Sequence, residues 1–137
     1  MLHVYHDGGR ANYFRGQTND CVCRAVSIAT GQDYIDVYNL FNTFSQKNGE
    51  GYIRNGIHRK TWNDVKNYLK ENGWKWAATM GIGTVCKTHL KSGELPNGTL
   101  IVQVSKHLTT VIDGVIYDTF DPSRNSTRCV YGYFIKQ

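Results

Sequence analysis

The chain has 137 residues, 40% of them hydrophobic and 20% charged, with a net charge of +5. That is the composition of one ordinary globular domain spanning residues 1–137, able to bury a core without disulfides or metal, and it excludes repeat, collagen-like and low-complexity architectures. No apolar run approaches a membrane span, and MLHVYHDGGR at the start lacks a basic-then-apolar export pattern, so no membrane association and a cytoplasmic location are expected.

The first segment with a clear period is TNDCVCRAVSIATG, residues 18–31. Asn19 or Asp20 can cap a helix that opens at Cys21, its apolar face carries Val22, Ala25, Val26 and Ala29, and Gly31 can end it. A second helix is expected after Asp33, with Tyr34, Val37, Tyr38, Phe41 and Phe44 at helical spacing and a stop at Gly49. NGEGYIRNG then reads as a loop. A third helix is expected to open at Thr61, with Asp64 completing a weak capping box and Trp62, Val65 and Leu69 forming its core stripe, and to end at Gly73.

The period then changes from helical to alternating. WKWAAT, TLIVQV, HLTTVI, VIYDTF and VYGYFI read as strands, with HLTTVI and VIYDTF joined at Asp113-Gly114. Helices followed by consecutive strands predict an α+β fold, with N-terminal helices packed on an antiparallel sheet. Loops around residues 47–60 and 81–98 are expected to build any substrate cleft.

Cysteines 21, 23, 86 and 129 have no framework spacing and are expected to be thiols, although Cys129 lies near a strand edge where it can oxidise or pair. Cys-x-Cys without a second close ligand pair is weak evidence for zinc, and neither a metal nor a cofactor is expected. Arg54, Arg59, Lys60, Lys66, Lys70 and Lys75 concentrate positive charge in the middle of the chain. A solvated helix face is the plainest reading; an acidic partner is the functional one, and nucleic acid lacks any accompanying module pattern.

Cys21 is the residue that asks for chemistry. A helix N-terminus favours a thiolate, which is of use to a nucleophile and of none to a packing residue. Cys23, deeper in the helix, reads as structural. Among five histidines, His3 and His6 lie near the terminus, His58 in the basic loop and His89 among turn residues. His107 begins a strand, and the returning strand brings Asp118 and Asp121. With a two-residue turn at Asp113-Gly114, His107 falls opposite Phe120 and shares its face diagonally with Asp118; with a three-residue loop it falls opposite Asp121. Arg24 can pair with either aspartate or with Asp20.

A Cys opening an N-terminal helix, followed far downstream by HLTTVIDGVIYDTFDP, resembles the papain-like cysteine peptidase superfamily. It is closest in style to small bacterial peptidases that process bacteriocin leaders and to compact papain-like proteins of bacteria and phages. The resemblance covers roughly residues 15–31 and 99–122. It implies a papain-like fold with Cys21 as nucleophile, His107 as base, Asp121 before Pro122 as the orienting carboxylate, and Gln17 helping an oxyanion hole. The implied activity is cysteine-type hydrolysis or acyl transfer at a peptide, isopeptide or amide bond. The alternative is a scaffold that no longer turns over and binds a protein or peptide partner through its basic surface; a cell-wall amidase is a lesser reading.

Overall fold

The computed structural model describes residues 1–51, 57–81 and 83–136; Arg54 of the basic segment lies outside them. Within them the fold is α+β. Strand β1 (Leu2–Tyr5) is followed by helices α1 (Cys21–Thr30), α2 (Tyr34–Lys47) and α3 (Arg59–Glu71). Strands β2 (Trp74–Ala78), β3 (Thr99–Val104), β4 (His107–Ile112), β5 (Val115–Asp118) and β6 (Val130–Lys136) complete it. They form one six-stranded sheet in the order β1-β5-β4-β3-β6-β2. Among the described residues, no helix is long and apolar enough to cross a membrane.

The sheet is mixed, which corrects the expectation of an antiparallel one. β1, which has no alternating pattern to announce it, runs parallel to β5 from Leu2↔Val115 to Tyr5↔Asp118. The other pairings are antiparallel. Two tight turns set the register of the strands that matter. Val104 pairs with His107 across a two-residue turn at Ser105-Lys106. Ile112 pairs with Val115 across Asp113-Gly114, both with positive φ (49° and 80°), the mirror-image turn that suits a twisted hairpin. Asp113 also accepts the Gly98 N–H at 2.8 Å on Oδ1, tying this turn to the start of β3.

Each sheet face has its own core. Val26, Tyr34, Val37, Phe41, Val65 and Leu69 pack from the helices against Ile101, Leu108 and Phe134. On the other face Leu100, Val102, Val104, Val111, Ile116 and Val130 are covered by Leu90, with Leu95 and Met1 beside it. The 81–98 segment, expected to help build a cleft, therefore covers the sheet's second face. Leu90 and Leu95 find more burial there than at a solvent-filled rim.

Residues 88–90 lie antiparallel to 128–130, with Leu90 N–H donating to Arg128 O and Val130 N–H to Thr88 O. This pairing brings Cys86 and Cys129 together as a disulfide, Cα atoms 5.9 Å apart, so the reading of all four cysteines as thiols is corrected. Cys21 and Cys23 are free.

The start of α3 and the cap of α1 differ from expectation. α3 opens at Arg59 rather than Thr61, and Thr61 receives its partner from the preceding loop: Glu50 Oε1 accepts both its N–H (2.8 Å) and its hydroxyl (2.6 Å). α1 opens at Cys21 as expected and ends at left-handed Gly31, but no side chain caps its first turn. The Asp20 carboxylate turns inward instead, because Arg24 is buried beneath it and needs an anion.

Candidate active site

α1 packs on β4, so the first turn of the one meets the first residue of the other. The result is that side chains 86 positions apart share one site: the Cys21 thiol and the His107 ring line the same clefts, and the sulfur is near enough to raise the imidazole pKa. The ring's other commitment is to Asp118, with Nε2 2.7 Å from Oδ2. Since Nε2 is taken by the carboxylate, Nδ1 is the nitrogen left for the sulfur.

Asp118, not Asp121, is therefore the carboxylate on His107. The two-residue turn decides it, by placing Asp118 on the same face as His107 and two residues short of the position opposite. Asp121 points elsewhere and accepts the Ser123 N–H at 2.9 Å, closing the turn after β5. Thr109 lies two residues along β4 from His107, hence on the same face, and its hydroxyl donates to Asp118 Oδ2 at 2.7 Å. The Thr119 N–H donates to Oδ1, also at 2.7 Å. The Phe120 ring packs against the imidazole with centroids 4.9 Å apart. Sequence reasoning placed Phe120 opposite His107 but missed Thr109, although the period-two rule alone would have put Thr109 beside Asp118.

Beneath the site runs a chain of buried charges. Arg24 pairs with Asp20 through Nη1, while its Nη2 lies 3.7 Å from Asp118 Oδ1. Asp20 also accepts the Tyr34 hydroxyl, and Arg10 stands 3.6 Å from it. Arg10 in turn donates to the Tyr34 oxygen at 3.2 Å. Of the three partners open to Arg24, Asp20 and Asp118 are thus met at once and Asp121 is not. Tyr34 and Arg10 had no sequence signal beyond an apolar period and a terminal basic residue.

The electrostatics follow from these contacts. Burial alone would push the His107 pKa down, but the hydrogen bond the ring donates to Asp118 and the nearby Cys21 sulfur, with the negative charge of both, raise it to about 9. Burial would push the Asp118 carboxyl up; the hydrogen bonds from His107 and Thr109 outweigh it, and the carboxyl is held below its usual value. Burial drives the Cys23 thiol well above its ordinary value, in keeping with a packing role for this 1% exposed residue.

Two clefts meet at the Cys21–His107 pair, and both are lined by Asn19, Asp20, Cys21 and His107. One, of about 590 Å³, extends over Ile57, Trp62, Val104 and Leu108 and carries His58, Arg59 and Lys106 at its edges. The second, of about 490 Å³, runs past Gln17, Arg10, Thr119 and Phe120. Gln17 is exposed and lines only this second cleft, so it sits on one side of the sulfur. Because Asp20 does not cap α1, its side chain leaves the first-turn N–H groups, Cys21's own among them, without that acceptor. Among the described residues no group of three His, Cys, Asp or Glu side chains is placed to hold a metal ion.

Comparison with known proteins brings no relative to this geometry: no family model, no curated protein and no solved structure matches the chain.

Proposed function

We propose that this protein is a cysteine hydrolase or acyl-transferase of papain-like type, acting on a peptide, isopeptide or amide carbonyl through Cys21, His107 and Asp118. The observation that carries the reading is the imidazole held between a free thiol at a helix start and a buried carboxylate. Cysteine, histidine and aspartate stand in the chain order of that superfamily, on a helix start, a strand start and the next strand. The resemblance had offered Asp121 for the third role; the proposal assigns it to Asp118.

In this reading His107 holds the proton of Cys21, as suits an imidazole with a pKa near 9, and Asp118 fixes the ring through Nε2. The Cys21 thiolate attacks the carbonyl carbon, and the oxyanion receives the Cys21 N–H and the Gln17 amide. His107 gives its proton to the leaving nitrogen. Water, or an acceptor amine, then attacks the thioester with His107 as base and regenerates the thiol. The clefts on either side of the sulfur fit an acyl chain on one side and a leaving chain on the other.

A second reading draws on His58, Arg59 and Lys106 at the edges of the larger cleft, where neither Arg59 nor Lys106 has an ion-pair partner among the described residues. On that reading the cleft binds an acidic peptide or protein without turnover. One experiment separates the two: labelling with an electrophilic peptide probe, followed by mass mapping. The enzyme reading expects label on Cys21 that is lost in His107→Ala. Equal slow labelling of wild type and His107→Ala would leave only the binding reading.

A further inference from the structure

The Cys86–Cys129 disulfide is not surrounded by inert side chains. His89 Nε2 lies 3.6 Å from the Cys86 sulfur, and His89 Nδ1 lies 3.2 Å from Glu94 Oε1. Sulfur, imidazole and carboxylate form a line, built from residues within nine positions of one another. It shares no side chain with the Cys21 site. The His89 and Glu94 side chains are 35% and 29% exposed, and both cysteines are half-buried, so solvent and a small reagent reach the group. The His89 hydrogen bond holds the Glu94 carboxyl below its usual value, which keeps it an anion at neutral pH.

A purely structural disulfide gains nothing from a carboxylate-oriented imidazole aimed at one of its sulfurs. An exchanging disulfide gains a proton donor for its leaving thiolate. We propose that Cys86–Cys129 is a second thiol centre that exchanges with an external dithiol, with Cys129 as the attacked sulfur and Cys86, assisted by His89, as the leaving one.

The step balances as follows. A thiolate of the dithiol attacks Cys129 Sγ, forming a mixed disulfide, and the S–S electron pair passes to Cys86 Sγ. That sulfur takes a proton from His89 Nε2, while Nδ1–H stays on Glu94. The dithiol's second thiolate then attacks its own sulfur in the mixed disulfide. Cys129 leaves as a thiolate and is protonated by water. The dithiol is oxidised by two electrons to its cyclic disulfide, and Cys86 and Cys129 are reduced to two thiols.

Local pairing supports this division of roles. Cys129 immediately precedes β6 and is paired with His89 in an isolated bridge, whereas Cys86 sits on the segment leading into that bridge. Cys129 therefore offers an attacking thiolate a fixed sulfur, and His89, held in place by the same bridge, meets the Cys86 sulfur as it leaves.

The test uses the full-length protein and dithiothreitol as the dithiol, at neutral pH. Reduction is quenched with a maleimide, and labels on Cys86 and Cys129 are counted by peptide mass. His89→Ala is expected to slow reduction by about tenfold or more, with Glu94→Gln slower than wild type by a smaller factor. A merely structural His89 gives the opposite sign, because a loosened segment exposes the disulfide and speeds its reduction. Should His89→Ala fail to fold, Glu94→Gln alone decides by the same sign. The proposal is overturned if the folded variants are reduced at the wild-type rate or faster. It is also overturned if wild-type Cys86 and Cys129 label without reductant and do not pair in oxidised dithiothreitol.

Discussion

Asp118 holds the His107 ring diagonally, from two residues away across the β4–β5 hairpin, Oδ2 to Nε2 at 2.7 Å, while Phe120, at the position opposite His107 by the same register, only packs against it. The two aspartates on this stretch therefore have different expected phenotypes. Asp118→Asn keeps the shape but no longer favours the protonated imidazole, and should lower Cys21 labelling by an electrophilic peptide about a hundredfold. Asp121→Asn keeps an oxygen that accepts the Ser123 N–H, removes only the charge, and should stay within about twofold of wild type, since it leaves the triad intact. Comparable losses in the two variants would mean that Asp118 does not orient the ring in solution.

That outcome turned on one turn residue, which shows where sequence reading stopped. The helix over Cys21–Thr30 and the strands over Thr99–Val104 and His107–Ile112 were legible because period and punctuation agreed. Asp118 and Asp121 could not be ranked, because a hairpin register shift of one residue moves a side chain to the other face. β1 was illegible: LHVY is short and mostly exposed, and its place is set by the β5 edge. The disulfide joins positions 43 apart through an isolated pairing that has no local pattern.

The pH dependence of stability has a definite sign. His107 is raised from about 6.5 in the unfolded chain to about 9 in the fold, so its contribution is full below about pH 6.5. It is lost as pH rises through 9, on the order of 3 kcal/mol in all. Asp118 is lowered, so its contribution is present above its unfolded value and lost as pH falls through the folded one. Urea midpoints should therefore be highest between about pH 5 and 6.5. His107→Ala should flatten the alkaline limb of the curve. An unchanged alkaline limb in His107→Ala would show that the pair contributes no such linkage.

Arg24 is 7% exposed and joins Asp20 to Asp118, with its Nε unpartnered. Arg24→Met leaves the Asp20 carboxylate buried beside Tyr34 with Arg10 as its remaining cation, and should destabilise the fold by about 3–5 kcal/mol. Asp20→Asn in the same chain removes the stranded charge and should recover part of that loss. Thermal unfolding of the two single variants and the double variant measures the coupling. Additive losses would show that Arg24 and Asp20 do not act as a pair.

Gly132 contributes to no reacting group, and what selects glycine there is packing. It sits in β6 opposite Ala78 and Gln103, and a Cβ built there would lie 2.3 Å from Trp76 Cζ2 and 2.8 Å from the Ala77 carbonyl oxygen. The obstacle is a ring and a backbone carbonyl, and Trp76 is already packed against Phe134 with centroids 4.9 Å apart. Neither can retreat without opening the β2–β6 pairing. Gly132→Ala should therefore cost about 2–3 kcal/mol, as overpacking does. In a chain of this size that is a fall in melting temperature of roughly 5–10 °C. Gly31→Ala, strained at φ 73° but with nothing near its Cβ, should cost about 1 kcal/mol. If the two variants melt together, the close approach of Trp76 to β6 is not what selects glycine at this position.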